Sequence, residues 1–359
     1  MSKVPEGAPP ADLNVVARRI LLDALTALHP HSDSVTIVGA QAVYLRTPDL
    51  DLAVASFTSD ADIGVDPTLL SGEPLLEVAM TAAGFHRRDK DQPGLWSRPE
   101  QVGDTTQDIG VDLLVAEAFS GRGTRSVTIP PHDRMAARRV IGLEATAVDA
   151  DVLQIRSLEP QRDPRVLSAR VGGVAALLIA KAFKIHQRAN EAGQRRLTNK
   201  DAGDVLRLMM GSDPETTVAA RLRELLMNER TAGSTREGLS YLQELFGAAR
   251  TQGTGMAVAA LETAVAEPTI RAIAPSYMNA LRNSVSWWVL GVLDAAEHRP
   301  QRARMPVRGD GAQPVDRCPP VVRVPTQPAH ASTSCRSSMI SFTSTSRSAS
   351  MSSSGRGGT

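Results

Sequence analysis

The pattern of apolar residues changes once along this chain, near residue 165, and that change sets its architecture. Before it, short β-branched or apolar runs alternate with segments of helical periodicity; after it, helical periodicity alone remains. Val35-Thr36-Ile37-Val38 ends at Gly39 and reads as a strand, with a helix over residues 40–45 and an amphipathic helix over 13–28 before it. Residues 62–65 predict a second strand, residues 69–83 a helix, and the surroundings of Trp96 a short strand. Residues 109–115 form a third apolar run, and 127–129 and 152–155 suggest further short strands. Residues 13–165 are therefore expected to form an α+β domain, a sheet flanked by helices. Residues 166–298 are expected to form a helical C-terminal domain. Its helices would span 171–189 and 199–210, with three or four more between 214 and 297, including Trp287 and Trp288. The Pro-rich residues 1–12 are expected to be flexible. From residue 299 to 359 Pro, Arg, Gly and then Ser and Thr dominate, with no acid after Asp316, which predicts a disordered tail.

With a formal net charge of +1, the chain has no overall field to attract nucleic acid, so any such partner must meet a local basic surface. The only cysteines are Cys318 and Cys335, which leaves the body without a disulfide or thiolate metal site and suits a reducing compartment. There is no apolar run of membrane-spanning length and no secretory pattern at the start, so a cytoplasmic protein without a membrane partner is expected.

The chemistry-bearing feature is Thr58-Ser59-Asp60-Ala61-Asp62-Ile63. Alternate residues of a strand face the same side, so Asp60 and Asp62 would present two carboxylates a few ångströms apart. Like charges so placed repel unless a cation joins them, and Mg²⁺ (or Mn²⁺) with carboxylates and substrate phosphates is the natural choice. The motif also fits two surface aspartates on a solvated loop. Upstream, Gly39 at a strand-to-helix junction would let backbone N–H groups approach phosphate, or simply make a tight turn. Downstream, Asp112 interrupts the apolar run Val111-Asp112-Leu113-Leu114-Val115. A third metal-facing acid accounts for it, as does a strand-end aspartate paired with an arginine.

In this order, Gly39, the Asp60/Asp62 pair and Asp112 resemble the polymerase-beta-type nucleotidyltransferase superfamily. There a Gly-Ser or Gly-Gly turn precedes an Asp-x-Asp pair and a third acid follows on a neighbouring strand. The resemblance implies a nucleotidyltransferase-like mixed β-sheet and Asp60, Asp62 and Asp112 as metal residues. Asp112 would assist the metal or deprotonate the acceptor. Lys181, at the end of the apolar run 175–180, and the later Lys200-Asp201-Ala202-Gly203-Asp204 are similar to AbiEii-type nucleotidyltransferase toxins of toxin–antitoxin and phage-defence systems. The similarity spans roughly residues 35–210. It implies that Lys181 contacts NTP phosphates and that Asp201 or Asp204 completes the site, with Gly39, Ala40, Thr58, Ser59, Lys184 and Lys200 lining the nucleotide. Read from the residues alone, Lys181, Lys184 and Arg188 share one helical face that a solvated basic surface would also explain. Thr198 and Asp201 likewise fit a helix cap. The chain departs from the pattern at Ala40, where relatives carry Ser or Gly, and at Ser56, where many carry arginine. Thr58 keeps the hydroxyl position two residues before Asp60, and Arg46 is the candidate to replace the missing charge.

The expected activity is Mg²⁺-dependent transfer of an NMP from an NTP to a macromolecular acceptor, tRNA or a protein hydroxyl, in a toxin that a cognate antitoxin would neutralise. Arg134, Arg138, Arg139, Arg195 and Arg196 would meet RNA phosphates or serve as solubilising charges. Transfer to a small hydroxyl compound, as in aminoglycoside-modifying relatives, is a second reading and requires an acidic acceptor pocket. A non-catalytic binding protein that retains the fold is a third; loss of an acid would favour it.

Overall fold

The computed structural model describes residues 10–50, 58–121, 125–191, 193 and 197–285. The expectations for residues 1–9, Ser56, Arg195, Arg196, Trp287, Trp288 and the tail with its two cysteines lie outside these residues.

In chain order the elements are α1 (Pro10–Ala27), β1 (Val35–Val38), α2 (Gly39–Arg46), β2 (Asp60–Val65), α3 (Leu76–Ala82), β3 (His86–Arg87), β4 (Leu95–Val102), β5 (Thr105–Ala116), β6 (Arg138–Val140), β7 (Ala150–Arg156) and β8 (Val166–Gly172). Among the described residues, helices then follow without further strands: α4 (Val174–Ala189), α5 (Asn199–Met210), α6 (Ala219–Met227), α7 (Ala232–Phe246), α8 (Gln252–Leu261) and α9 (Glu267–Ser284). The protein is thus α+β, a mixed sheet flanked by helices with a helical C-terminal region.

The sheet runs β3-β4-β5-β2-β1-β8-β7, with β6 pairing β5 beside the end of β4. β2 is antiparallel to β1 and parallel to β5, while β1 is parallel to β8. On one face Ala61, Ile63, Val65, Val111, Leu113 and Val115 are buried in the main core, to which α1 contributes Leu13, Ala17, Ile20, Leu21 and Ala24. The period of two sends their neighbours Asp60, Asp62 and Asp112 to the other face.

Four expectations are corrected. Residue 166 does not open a helical domain, because Val166–Gly172 is a strand of the sheet, with Ile37 opposite Val171. The larger hydrophobic cluster contains residues of both the sheet and the helices that follow it. Helix α4 accordingly begins at Val174 rather than 171, where the Asp149 carboxylate accepts the Ala176 N–H at 2.9 Å and meets the positive end of the helix. Helix α3 begins at Leu76 rather than 69, since Pro74 disfavours helix in the residue before it. Residues 127–129 form no strand; only Ser126 makes an isolated bridge, to Arg138, and Pro130 and Pro131 have no N–H to continue a ladder.

Leu177, 1% exposed, packs from α4 against Gly172 at the end of the sheet. Leu177→Ala is expected to cost about 2–5 kcal/mol. Chemical denaturation followed by far-UV circular dichroism and tryptophan fluorescence should show a single coincident transition that moves to lower denaturant. Two separated transitions would contradict a shared core.

Candidate active site

The register of β2 against β5 places the acids. Asp60 pairs Gly110 and Asp62 pairs Asp112 in a parallel ladder, so the three carboxylates stand on one face of two adjacent strands. The antiparallel partner of Asp62 on its other side is Val38, the residue before Gly39. Gly39 opens α2 with φ +65°, and a Cβ there would lie 1.9 Å from Asp62 Oδ2. Only glycine both adopts that backbone and lets the helix start against the carboxylate. Val38 caps α2 without a side-chain hydrogen bond, which leaves the first N–H groups of the helix beside Asp62. Ala40, in that first turn, is buried.

The buried Thr58 hydroxyl donates to Asp60 Oδ1 at 2.8 Å. Ser59 is half-buried next to it. Asp112 has an arginine partner, Arg138, whose Nη2 donates to Asp112 Oδ2 at 2.6 Å. Burial pushes the Asp112 carboxyl up to about 7; Arg138 opposes the shift, while Asp62 and Asp60 add to it. Burial and then Asp60 push Asp62 upward as well, against Lys184, Arg138 and Lys181.

Those lysines come from the helical region. Lys181 is 4% exposed, and its ammonium donates to Asp201 Oδ1 at 2.9 Å and Asp204 Oδ2 at 2.6 Å. Lys184 reaches Asp201 Oδ1 at 2.9 Å and Arg188 reaches Asp201 Oδ2 at 2.9 Å. The three cations do share one face of α4, but that face meets Asp201 and is not a solvated surface. Asp201 is likewise not merely a capping residue: Thr198 makes no side-chain cap, and the Asp201 carboxylate lies inside this network. Burial opposes the charge on Lys181, yet the two carboxylates outweigh it and hold its pKa above the ordinary lysine value. On Asp201, burial is outweighed by Lys181, Lys184 and Arg188, which hold the carboxyl well below the usual range. Lys181 therefore joins α4 to α5 and does not present a free ammonium.

Lys200, at the start of α5, is exposed. Desolvation there lowers its pKa, with Lys181 and Lys184 adding to the shift and Asp204 and Asp60 opposing it.

Other expectations fall elsewhere. Arg46 hydrogen-bonds the carbonyls of Gly172 and Val171 at 2.9 and 2.6 Å and pairs with Asp151, so it braces the end of β8 and does not compensate for Ser56. Arg139 pairs with Glu117 at 2.6 Å, and Arg134 is exposed. The Arg134/Arg138/Arg139 cluster is therefore partly neutralised from within. Two features escaped the sequence reading: Arg138 as the partner of Asp112, and Arg88, whose charge reaches Asp112 from the turn after β3. Neither lies in a local motif that could have revealed it.

Among the described residues no group of three or more His, Cys, Asp or Glu is placed to hold a metal ion. Asp112 gives Oδ2 to Arg138. Asp60 and Asp62 nonetheless have the chemistry that Mg²⁺ requires, hard oxygen donors held together against their repulsion beside an anion-receptive helix start. Compared with protein-family models the chain matches none, and none of the curated proteins compared with it is a significant match.

Two outcomes follow. Gly39→Ala should destabilise the fold by about 1 kcal/mol or more, and by less in an Asp62→Ala background, because the carboxylate it strikes is gone; equal costs by thermal denaturation would refute the contact. The stability conferred by the depressed pKa of Asp201 is present above its unfolded value near 3.8 and lost as pH falls through the folded value. Asp201→Asn should therefore cost roughly 3–5 kcal/mol near neutral pH, with the gap to the native chain narrowing below about pH 4 in urea titrations.

Proposed function

We propose that this chain is a nucleotidyltransferase of the polymerase-beta type, similar to the AbiEii-type toxins, moving an NMP from an NTP to a macromolecular acceptor. The observation that carries this reading is the parallel register of Asp60 and Asp62 on β2 with Asp112 on β5, against the glycine junction that starts α2.

Asp60 and Asp62 would hold Mg²⁺, with Thr58 fixing Asp60. The ion supplies Lewis-acid neutralisation of the charge that develops on the phosphate oxygens. Gly39 and the open N–H groups of the first α2 turn receive phosphate oxygens. Lys200 and Lys184 contribute positive charge from the α4–α5 side, while Lys181, with Asp201 and Asp204, holds that side rigid. Asp112, with a carboxyl near 7, suits a base working at neutral pH. It takes the proton of the acceptor hydroxyl as that oxygen bonds to the α-phosphorus; the bond to the bridging oxygen breaks and pyrophosphate leaves. The tRNA or protein acceptor and control by an antitoxin belong to the same reading. A cationic aminoglycoside acceptor is less well supported, because arginines stand next to Asp112 where that reading needs surplus acid.

Incubation with each α-labelled NTP, Mg²⁺ and total tRNA should label RNA or protein. Asp62→Ala should lower the rate by roughly 10³-fold or more. Absence of transfer from every NTP, or transfer indifferent to Asp62→Ala, would overturn the reading.

A further inference from the structure

Cations flank the carboxylates on two opposite sides, and the two sides differ in chemistry. Across the sheet the order is β4, β5 with Asp112, β2 with Asp60 and Asp62, β1, then β8, from which α4 departs. Lysines stand on the α4–α5 side. On the β4 side stand Arg88, whose backbone N–H bonds Leu95 of β4 at 2.9 Å, and Arg138 of β6. Gly110 of β5 faces the same way as Asp112 and pairs Asp60 in the parallel ladder. A methyl group on Gly110 would lie 3.6 Å from Asp60 Cβ and 3.7 Å from Arg88 Nη1, so the guanidinium stands beside Asp60 on the carboxylate face.

Both arginines have donors to spare. Arg88 is exposed, and among the described residues its side chain makes no hydrogen bond or close ion pair. Arg138 uses Nη2 on Asp112 and, with its side chain 35% exposed, makes no other side-chain hydrogen bond among the described residues. A guanidinium offers a planar fork of N–H groups that matches phosphate oxygens in pairs, whereas a lysine supplies a point charge.

We propose that Arg88 and Arg138 form a second anion subsite, on the β4 side of the carboxylates, that binds a phosphate of the acceptor. The acceptor is then a polynucleotide end, whose hydroxyl is carried close to a phosphodiester. This rests on the nucleotidyltransferase reading for assigning the lysine side to the NTP. A protein hydroxyl brings no anion for the arginine side, and a cationic small molecule would meet like charge there.

The test is fluorescence anisotropy of the full chain with a short labelled single-stranded RNA bearing a free 3′ hydroxyl, across a salt series, with NTP transfer measured in parallel. Arg88→Gln leaves the Asp112 partner in place and is the principal variant. It should weaken RNA binding about tenfold and reduce the salt slope by about 0.7, one phosphate contact on a single strand. Arg162→Gln, a highly exposed arginine near β7 at the far end of the sheet, should leave both unchanged. Binding unaltered by Arg88→Gln, or an equal loss with Arg162→Gln, overturns the subsite. Transfer that labels protein in place of RNA, or RNA labelling indifferent to Arg88→Gln, removes the subsite and leaves the transferase. Arg88-dependent RNA binding with no transfer from any NTP supports the subsite as an anion site and removes the transferase.

Discussion

Three carboxylates brought to one face of two neighbouring strands repel one another, and the surrounding structure is organised to balance that repulsion. The parallel pairing of Asp62 with Asp112 fixes the spacing, and burial makes the charge costlier. Compensation comes from two directions. Arg138 engages Asp112 within the sheet, while Lys184 and Lys181 act on Asp62 from α4. Moving the proton or placing a cation between the acids would relieve the same strain.

Bringing α4 to the acids has its own requirements. Its first turn is anchored where Asp149 accepts the Ala176 N–H, and a Cβ on Gly173 would come within 2.0 Å of that aspartate. Seven residues beyond Val174, Lys181 is buried between α4 and α5 and bound to Asp201 and Asp204. A buried lysine with two carboxylates is an inefficient way to gain stability but an effective way to hold two helices in one register. Its neighbour Lys184 is thereby set half-exposed, sharing Asp201.

Much of the sheet was legible. The runs 35–38 and 109–115 carry enough β-branched and apolar residues to identify strands from local pattern, and 199–210 reads as a helix with the bounds it has. Asp60, Asp62 and Gly39 were legible as a group because strand periodicity and the strand-to-helix junction are local properties. β8 was not: Ser168 and Arg170 interrupt its pattern, and pairing with β1 makes it a strand. The partners of Lys181 and Thr58 were not legible for a related reason. Type and spacing show that a side chain carries charge or a hydroxyl, but not which neighbour claims it.

By itself the sequence determined what adjacent residues impose on each other: the alternation that puts Asp60 and Asp62 on one side, the glycine that admits a positive φ at the start of α2, and the helical face shared by Lys181, Lys184 and Arg188. Only the tertiary structure decided the partners. Arg138 reaches Asp112 from 26 residues away, Lys181 meets Asp204 from 23, and Arg88 comes to stand beside Gly110 of β5. The physical reason is range. Backbone periodicity acts over a few residues and is written in order along the chain, whereas charge compensation acts through space between segments that only folding brings together.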